Sequence, residues 1–165
     1  MSITKNGNIG PVYQPDYMQL ANVVDANIAL AIPSSEATQL GFNIDANERV
    51  LFRYQLFYTQ NADNNNLEYT VALQDNQDVP VDITPTLYHE TYISSDDDGT
   101  VSSSTTSTAN AKVNITSGTA GAGSVIITGV IQNSGTAGTV KLNLAAATGT
   151  ATVYAGSFLE YRRFW

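Results

Sequence analysis

The chain has 165 residues, of which only 13% are charged, and a net charge of −8 from fifteen acidic and seven basic side chains. An acidic chain gains nothing from counterion release on DNA and offers no polybasic cluster to anionic lipid, so nucleic acid and membrane surfaces are excluded as partners. The absence of cysteine excludes disulfides, thiolate catalysis and cysteine-based metal centres.

The length suits one domain with an arm. The first residues, Met-Ser-Ile-Thr-Lys-Asn-Gly-Asn, lack the apolar stretch of a signal peptide. No apolar run approaches the ~20 residues of a membrane helix. The sequence therefore predicts a soluble protein made in a cytoplasm. Thr, Ser, Asn and Gln stand where charge is missing, which favours strands and turns over helices.

Residues 1–22 show no period and carry Pro11 and Pro15 around Tyr13 and Tyr17. They are read as an extended N-terminal arm in which Ile9, Val12, Tyr13 and Tyr17 gain from burial on a partner. The domain proper is placed at 23–165. Val24, Ala26, Ile28, Leu30 and Ile32 alternate with smaller or polar residues, the pattern of a half-buried strand. Leu40, Phe42 and Ile44 predict another, and Asp45-Ala46-Asn47 a turn. The strongest strand is Val50-Leu-Phe-Arg-Tyr-Gln-Leu-Phe-Tyr58. One face carries Val50, Phe52, Tyr54, Leu56 and Tyr58; the other carries Leu51 and Phe57 beside Arg53 and Gln55. A strand apolar in both directions belongs between two layers or at an interface.

After a polar loop at 61–66, Leu67, Tyr69, Val71 and Leu73 predict a strand with Glu68 and Thr70 outward. Val79, Val81 and Ile83 continue after a turn, and residues 87–93 follow as a further strand. Residues 94–110 hold Asp96, Asp97, Asp98, a glycine and a Ser/Thr run, and are expected to form a long surface loop. Short strands are expected at 111–115 and 125–131. Val140, Leu142 and Leu144 are expected as the hairpin partner of the latter. Segments 150–154 and 158–165 close the chain. About ten short strands with turn signals and no helix predict an all-β fold, an antiparallel β-sandwich of jelly-roll type.

Signals for chemistry are weak. His89 is the single histidine and lies inside a strand, with no G-x-S-x-G or similar motif elsewhere. Asp96-Asp97-Asp98-Gly99 lacks the spaced carboxylates of a calcium loop and reads as a solvated turn. Residues 118–123 are glycine-rich but lack the Lys-Ser/Thr of a phosphate cradle. No catalytic residue, metal or cofactor is expected, and the chain is read as non-enzymatic. The last residues are more informative. Tyr161, Arg162, Arg163, Phe164 and Trp165 are residue types enriched at interface hot spots. With Leu51 and Phe57 they form the expected oligomer interface.

Several pieces, in order, carry a resemblance. They are Leu40-Gly-Phe-Asn-Ile, Ala46-Asn47-Glu48, the aromatic strand 50–58, Ile127-Thr-Gly-Val-Ile-Gln-Asn133, Gly138-Thr-Val-Lys-Leu142, and Val153-Tyr-Ala-Gly-Ser-Phe-Leu-Glu-Tyr-Arg-Arg163. Over residues 40–165 the chain resembles the jelly-roll domain of tailed-phage virion proteins. The resemblance implies homotrimers that serve as capsid decorations or as fibre tips, and it brings no catalytic residues. The short chain without a fibrous shaft points to a capsid decoration (cement) protein on the outer capsid surface of the virion. Its partners would be itself, as a homotrimer, and the major capsid protein. The alternative is a receptor-binding knob of a tail or head fibre. Three-fold closure is implied by the resemblance alone, since two-fold closure is the commoner arrangement.

Overall fold

The computed structural model describes residues 19–24, 27–31, 35–61, 67–74, 83–96, 99, 101–115 and 120–164. The described chain forms twelve strands: β1 Gln19–Val23, β2 Ile28–Ala31, β3 Ser35–Ile44, β4 Arg49–Gln60, β5 Leu67–Gln74, β6 Leu87–Asp96, β7 Val101–Thr106, β8 Val113–Asn114, β9 Gly121–Gln132, β10 Gly138–Ala146, β11 Thr150–Val153 and β12 Phe158–Phe164. No helix occurs among the described residues.

Two antiparallel sheets face each other. The smaller has the order β3-β10-β5-β8. The larger runs β1-β12-β4-β9-β6-β7, with β11 also on β4 and β2 on β11. The pairings nest: β3 with β10, β4 with β9, β5 with β8, β6 with β7. This is a long antiparallel hairpin rolled so that successive strand pairs fall alternately in the two sheets, which is the jelly roll.

Alternation along each strand explains the layering. Val50, Phe52, Tyr54, Leu56 and Tyr58 of β4, Val125, Ile127 and Ile131 of β9, and Tyr88 and Tyr92 of β6 form the larger sheet's inner face. Val140, Leu142 and Leu144 of β10 with Leu67, Tyr69, Val71 and Leu73 of β5 form the facing one. Packing is close at Gly129, paired with Phe52 on one side and Glu90 on the other. A Cβ there would stand 2.3 Å from Phe52 Cζ, so the glycine makes room for the ring.

Several expectations are corrected. β10 is not the hairpin partner of β9, because it lies in the opposite sheet between β3 and β5. The two strands present apolar faces to each other across the core, which a shared sheet would point the same way. The 94–110 segment is not one loop. β6 runs on to Asp96, and β7 returns in unbroken register from Ser95↔Val101 to Glu90↔Thr106. Hydroxyl pairs hold it, Ser94 Oγ to Ser102 Oγ at 2.6 Å and Thr91 Oγ1 to Thr105 Oγ1 at 3.1 Å. Hydrophobic period cannot reveal a strand that carries almost no apolar side chain. Glu68 points outward as expected, yet it is only 7% exposed and pairs with Lys112.

At the start of the domain, the strand expected from Val24 begins at Ile28. Val24 itself is buried and exchanges backbone bonds with the 156–157 turn (2.8 and 2.9 Å). β1 begins within residues 1–22, where it pairs with β12.

Candidate functional site

The sequence motifs converge on one corner of the sandwich. Here the β3–β4 and β9–β10 connections both cross between sheets. Asn133 Nδ2 donates to the Asp45 carbonyl (2.9 Å) and to that of Thr136 (2.6 Å), and its backbone N donates to Glu48 O (2.8 Å). Asn47, at φ 61°, donates its N–H to Ser134 O at 2.7 Å. Asn tolerates that left-handed conformation better than most residues. Glu48 is buried. Its carboxylate accepts from Asp45 N (2.8 Å) and from Arg163 Nη1 at 2.6 and 2.8 Å, while Arg163 Nη2 donates to Asn43 O at 2.8 Å. Arg163 also lies 5.4 Å from the centre of the Tyr161 ring, which stacks on Phe42 at 4.8 Å.

The Val153-Tyr-Ala-Gly-Ser motif has a similar job further along β4. β11 and β12 both lie along one edge of β4, at Tyr58–Gln60 and at Arg49–Gln55 respectively. The 154–157 turn bridges the break. Phe57 N donates to Ser157 Oγ (3.0 Å), and Tyr154 N donates to Phe57 O (2.8 Å). Gly156 takes φ 91°, a value open to glycine. These motif residues therefore hold backbone in place. They converge no nucleophile, base or ligand set, and no group of three or more metal-ligating side chains occurs among the described residues.

The second candidate is the outer face of the larger sheet. Registered neighbours share a face, so its rows read directly from the pairing. Arg162, Leu51, Val130 and His89 form one row; Phe158, Gln55, Ile126 and Ile93 form another; Phe57 leads a third through Ser124 and Ser95 to Val101. Phe57 is 42% exposed and Ile93 50%. Leu51, Val130, Ile126 and Phe158 are half-buried. Arg162 is the charged side chain of the first row; Arg53 and Glu160 stand with Thr128 and Thr91 in the row between the first two, and Arg49 stands beside Gln132 at the end of the face. Arg53 Nη1 lies 3.6 Å from Glu160, and Arg49 Nη2 donates to Gln132 Oε1 at 2.5 Å.

The expected interface residues divide between these two places. Leu51, Arg162 and Phe164 lie together on the outer face, with the Arg162 guanidinium 5.0 Å from the Phe164 ring centre, and Phe57 lies on the same face six residues further along β4. Tyr161 and Arg163 alternate to the other side and serve the corner. Trp165, and the arm residues Ile9, Val12, Tyr13 and Tyr17, lie outside the described residues, as do Asp97 and Asp98. His89 lies exposed on the outer face beside Val130. Ile126, Val130 and Ile93 belong to the same apolar surface and were not singled out from the sequence. The available signal was residues 125–127, apolar on both faces of one strand.

No family model matches the chain, and no curated protein matches it.

Proposed function

We propose that this chain is a non-enzymatic structural protein of a tailed-phage virion, a capsid decoration protein that assembles as a homotrimer through the outer face of the eight-stranded sheet. The observation that carries the reading is that face, where Leu51, Val130, Ile126, Phe158, Phe57 and Ile93 are apolar, and Phe57 and Ile93 are exposed, around a polar row of Glu160, Arg53, Thr128 and Thr91. An exposed apolar surface of this kind marks an interaction site rather than a solvated exterior. Association in a closed ring buries it without forming fibres. The choice of three copies, and of the major capsid protein as the partner of Ile9, Val12, Tyr13 and Tyr17, follows from the family resemblance.

Light scattering tests the assembly. The purified chain is expected at three times its 17.6 kDa mass, and Phe57→Asp is expected to return it to the single-chain mass. Phe57 is exposed within the chain, so the variant should stay folded, with a stability change within about 0.5 kcal/mol. A wild-type monomer would remove the interface; a dimer would remove the threefold part. Imaging of intact particles separates the roles, since many copies over the capsid surface fit decoration and a few at the tail fit a fibre knob. A second expected outcome concerns nucleic acid. With −8 net charge the protein should leave DNA unshifted in a low-salt gel at micromolar concentration, and a salt-sensitive shift would contradict this.

A further inference from the structure

Glu90 sits in the middle of β6 with its side chain between the two sheets and 1% of its surface exposed. Tyr88 Oη donates to Glu90 Oε2 at 2.5 Å, and the Tyr69 hydroxyl, reaching from β5, also bonds the carboxyl. Among the described residues, the neighbours on the other elements supply no countercharge. β9 offers Gly129 directly beside it, β7 offers Thr106, and β4 offers Phe52 with Tyr54 one residue pair further along. β10 turns Val140, Leu142 and Leu144 inward. Tyr92, on the same face of β6, packs edge-on to Tyr69 at 6.0 Å. The titratable groups facing Glu90 are therefore Tyr54, Tyr69, Tyr88 and Tyr92.

The described cations are engaged elsewhere. Arg163 holds Glu48, Lys112 holds Glu68, Arg53 faces Glu160, and Arg49 and Arg162 lie on the outer face. Lys141 lies over Gly41 on the outside of the smaller sheet.

We propose that Glu90 is a proton-operated latch in the core: with its proton it is compatible with the closed sandwich, and on losing it the carboxylate weakens the grip of β6 on the facing sheet. An ionised carboxylate in an apolar interior needs a cation or several donors, and here, among the described residues, it is two phenols that bond it. Burial accordingly raises the Glu90 carboxyl from 4.5 to about 7, against the opposing pull of the Tyr88 and Tyr69 hydrogen bonds. The folded state then keeps a proton that the unfolded chain releases. The stabilisation is complete below about pH 4.5, declines as pH rises, and is gone above about 7. The device is independent of the assembly role proposed above.

The test compares wild type with Glu90→Gln, which mimics the protonated acid, by urea unfolding from about pH 4 to about pH 9. The ratio of the two folding constants isolates Glu90 from the other carboxylates. That ratio is expected to fall about tenfold per pH unit across the window, on the order of a hundredfold in all, and then level off. A ratio that does not change with pH would overturn the proposal. Should Glu90→Gln fail to fold, carboxyl-carbon NMR of the unaltered protein decides. A Glu90 midpoint near 7 supports the latch, and one in the ordinary carboxylate range removes it. Tyr88→Phe deletes a hydrogen bond that favours the ionised form, so it should move the midpoint still higher.

Discussion

Replacing Glu48 by alanine is expected to lower the unfolding free energy by about 3 kcal/mol, the scale for breaking a largely buried ion pair from one side. The loss has two sources. Arg163 is left facing the corner without its bidentate partner, and the Asp45 N–H loses its acceptor. The same carboxylate anchors β12 to the β3–β4 turn, so the loss spreads to the edge of the larger sheet. Arg163→Ala should cost a similar amount, because it strands a buried carboxylate. The double variant should cost clearly less than the sum, since both changes remove one interaction. Denaturant melts of the three variants check this. Single losses under about 0.5 kcal/mol would mean that the pair behaves as an ordinary surface salt bridge.

Gly129→Ala is expected to destabilise by at least about 1–3 kcal/mol, the usual cost of overpacking a filled core. The new methyl would lie 2.3 Å from Phe52 Cζ and 2.7 Å from the His89 carbonyl oxygen. The ring is fully buried and packs near Phe42 and Tyr54, with centroids 6.3 and 5.6 Å away. The carbonyl belongs to the neighbouring strand and yields only if the β6–β9 ladder shifts. Phe52→Leu in the same chain should recover part of the loss by freeing space on the ring side. Gly135→Ala serves as the control, because nothing lies within 4 Å of a Cβ there, and it should be near neutral. Equal melting of the two glycine variants would show that the sheet relaxes around the added methyl at little cost.

These two sites show what the motifs mean. Asn47, Glu48, Asn133, Gly156, Ser157 and Arg163 stood out in the sequence as spaced pieces without an evident chemistry. In the fold they secure sheet crossings and a strand break. A polar residue that recurs beside a turn can serve the backbone as readily as a ligand, because buried N–H and C=O groups must be satisfied.

The sequence by itself determined the all-β class, most strand positions and which side of β4 is core, because period-two alternation is local and each inward residue is chosen by burial. It also identified Leu51 and Phe57 as apolar side chains outside the core. Only the tertiary structure decided that β10 crosses to the other sheet, since an apolar face does not say which opposite face covers it. It alone showed β7, whose Ser and Thr side chains bury too little to leave a period. It separated Arg162 and Phe164 from Tyr161 and Arg163, because register with β4, not composition, sets which way each side chain of β12 points. And it placed Glu90 among tyrosines: in the chain Tyr88 and Glu90 are near neighbours, but Tyr54 comes near through the pairing of β4, β9 and β6, and Tyr69 only when the facing sheet closes over the carboxyl.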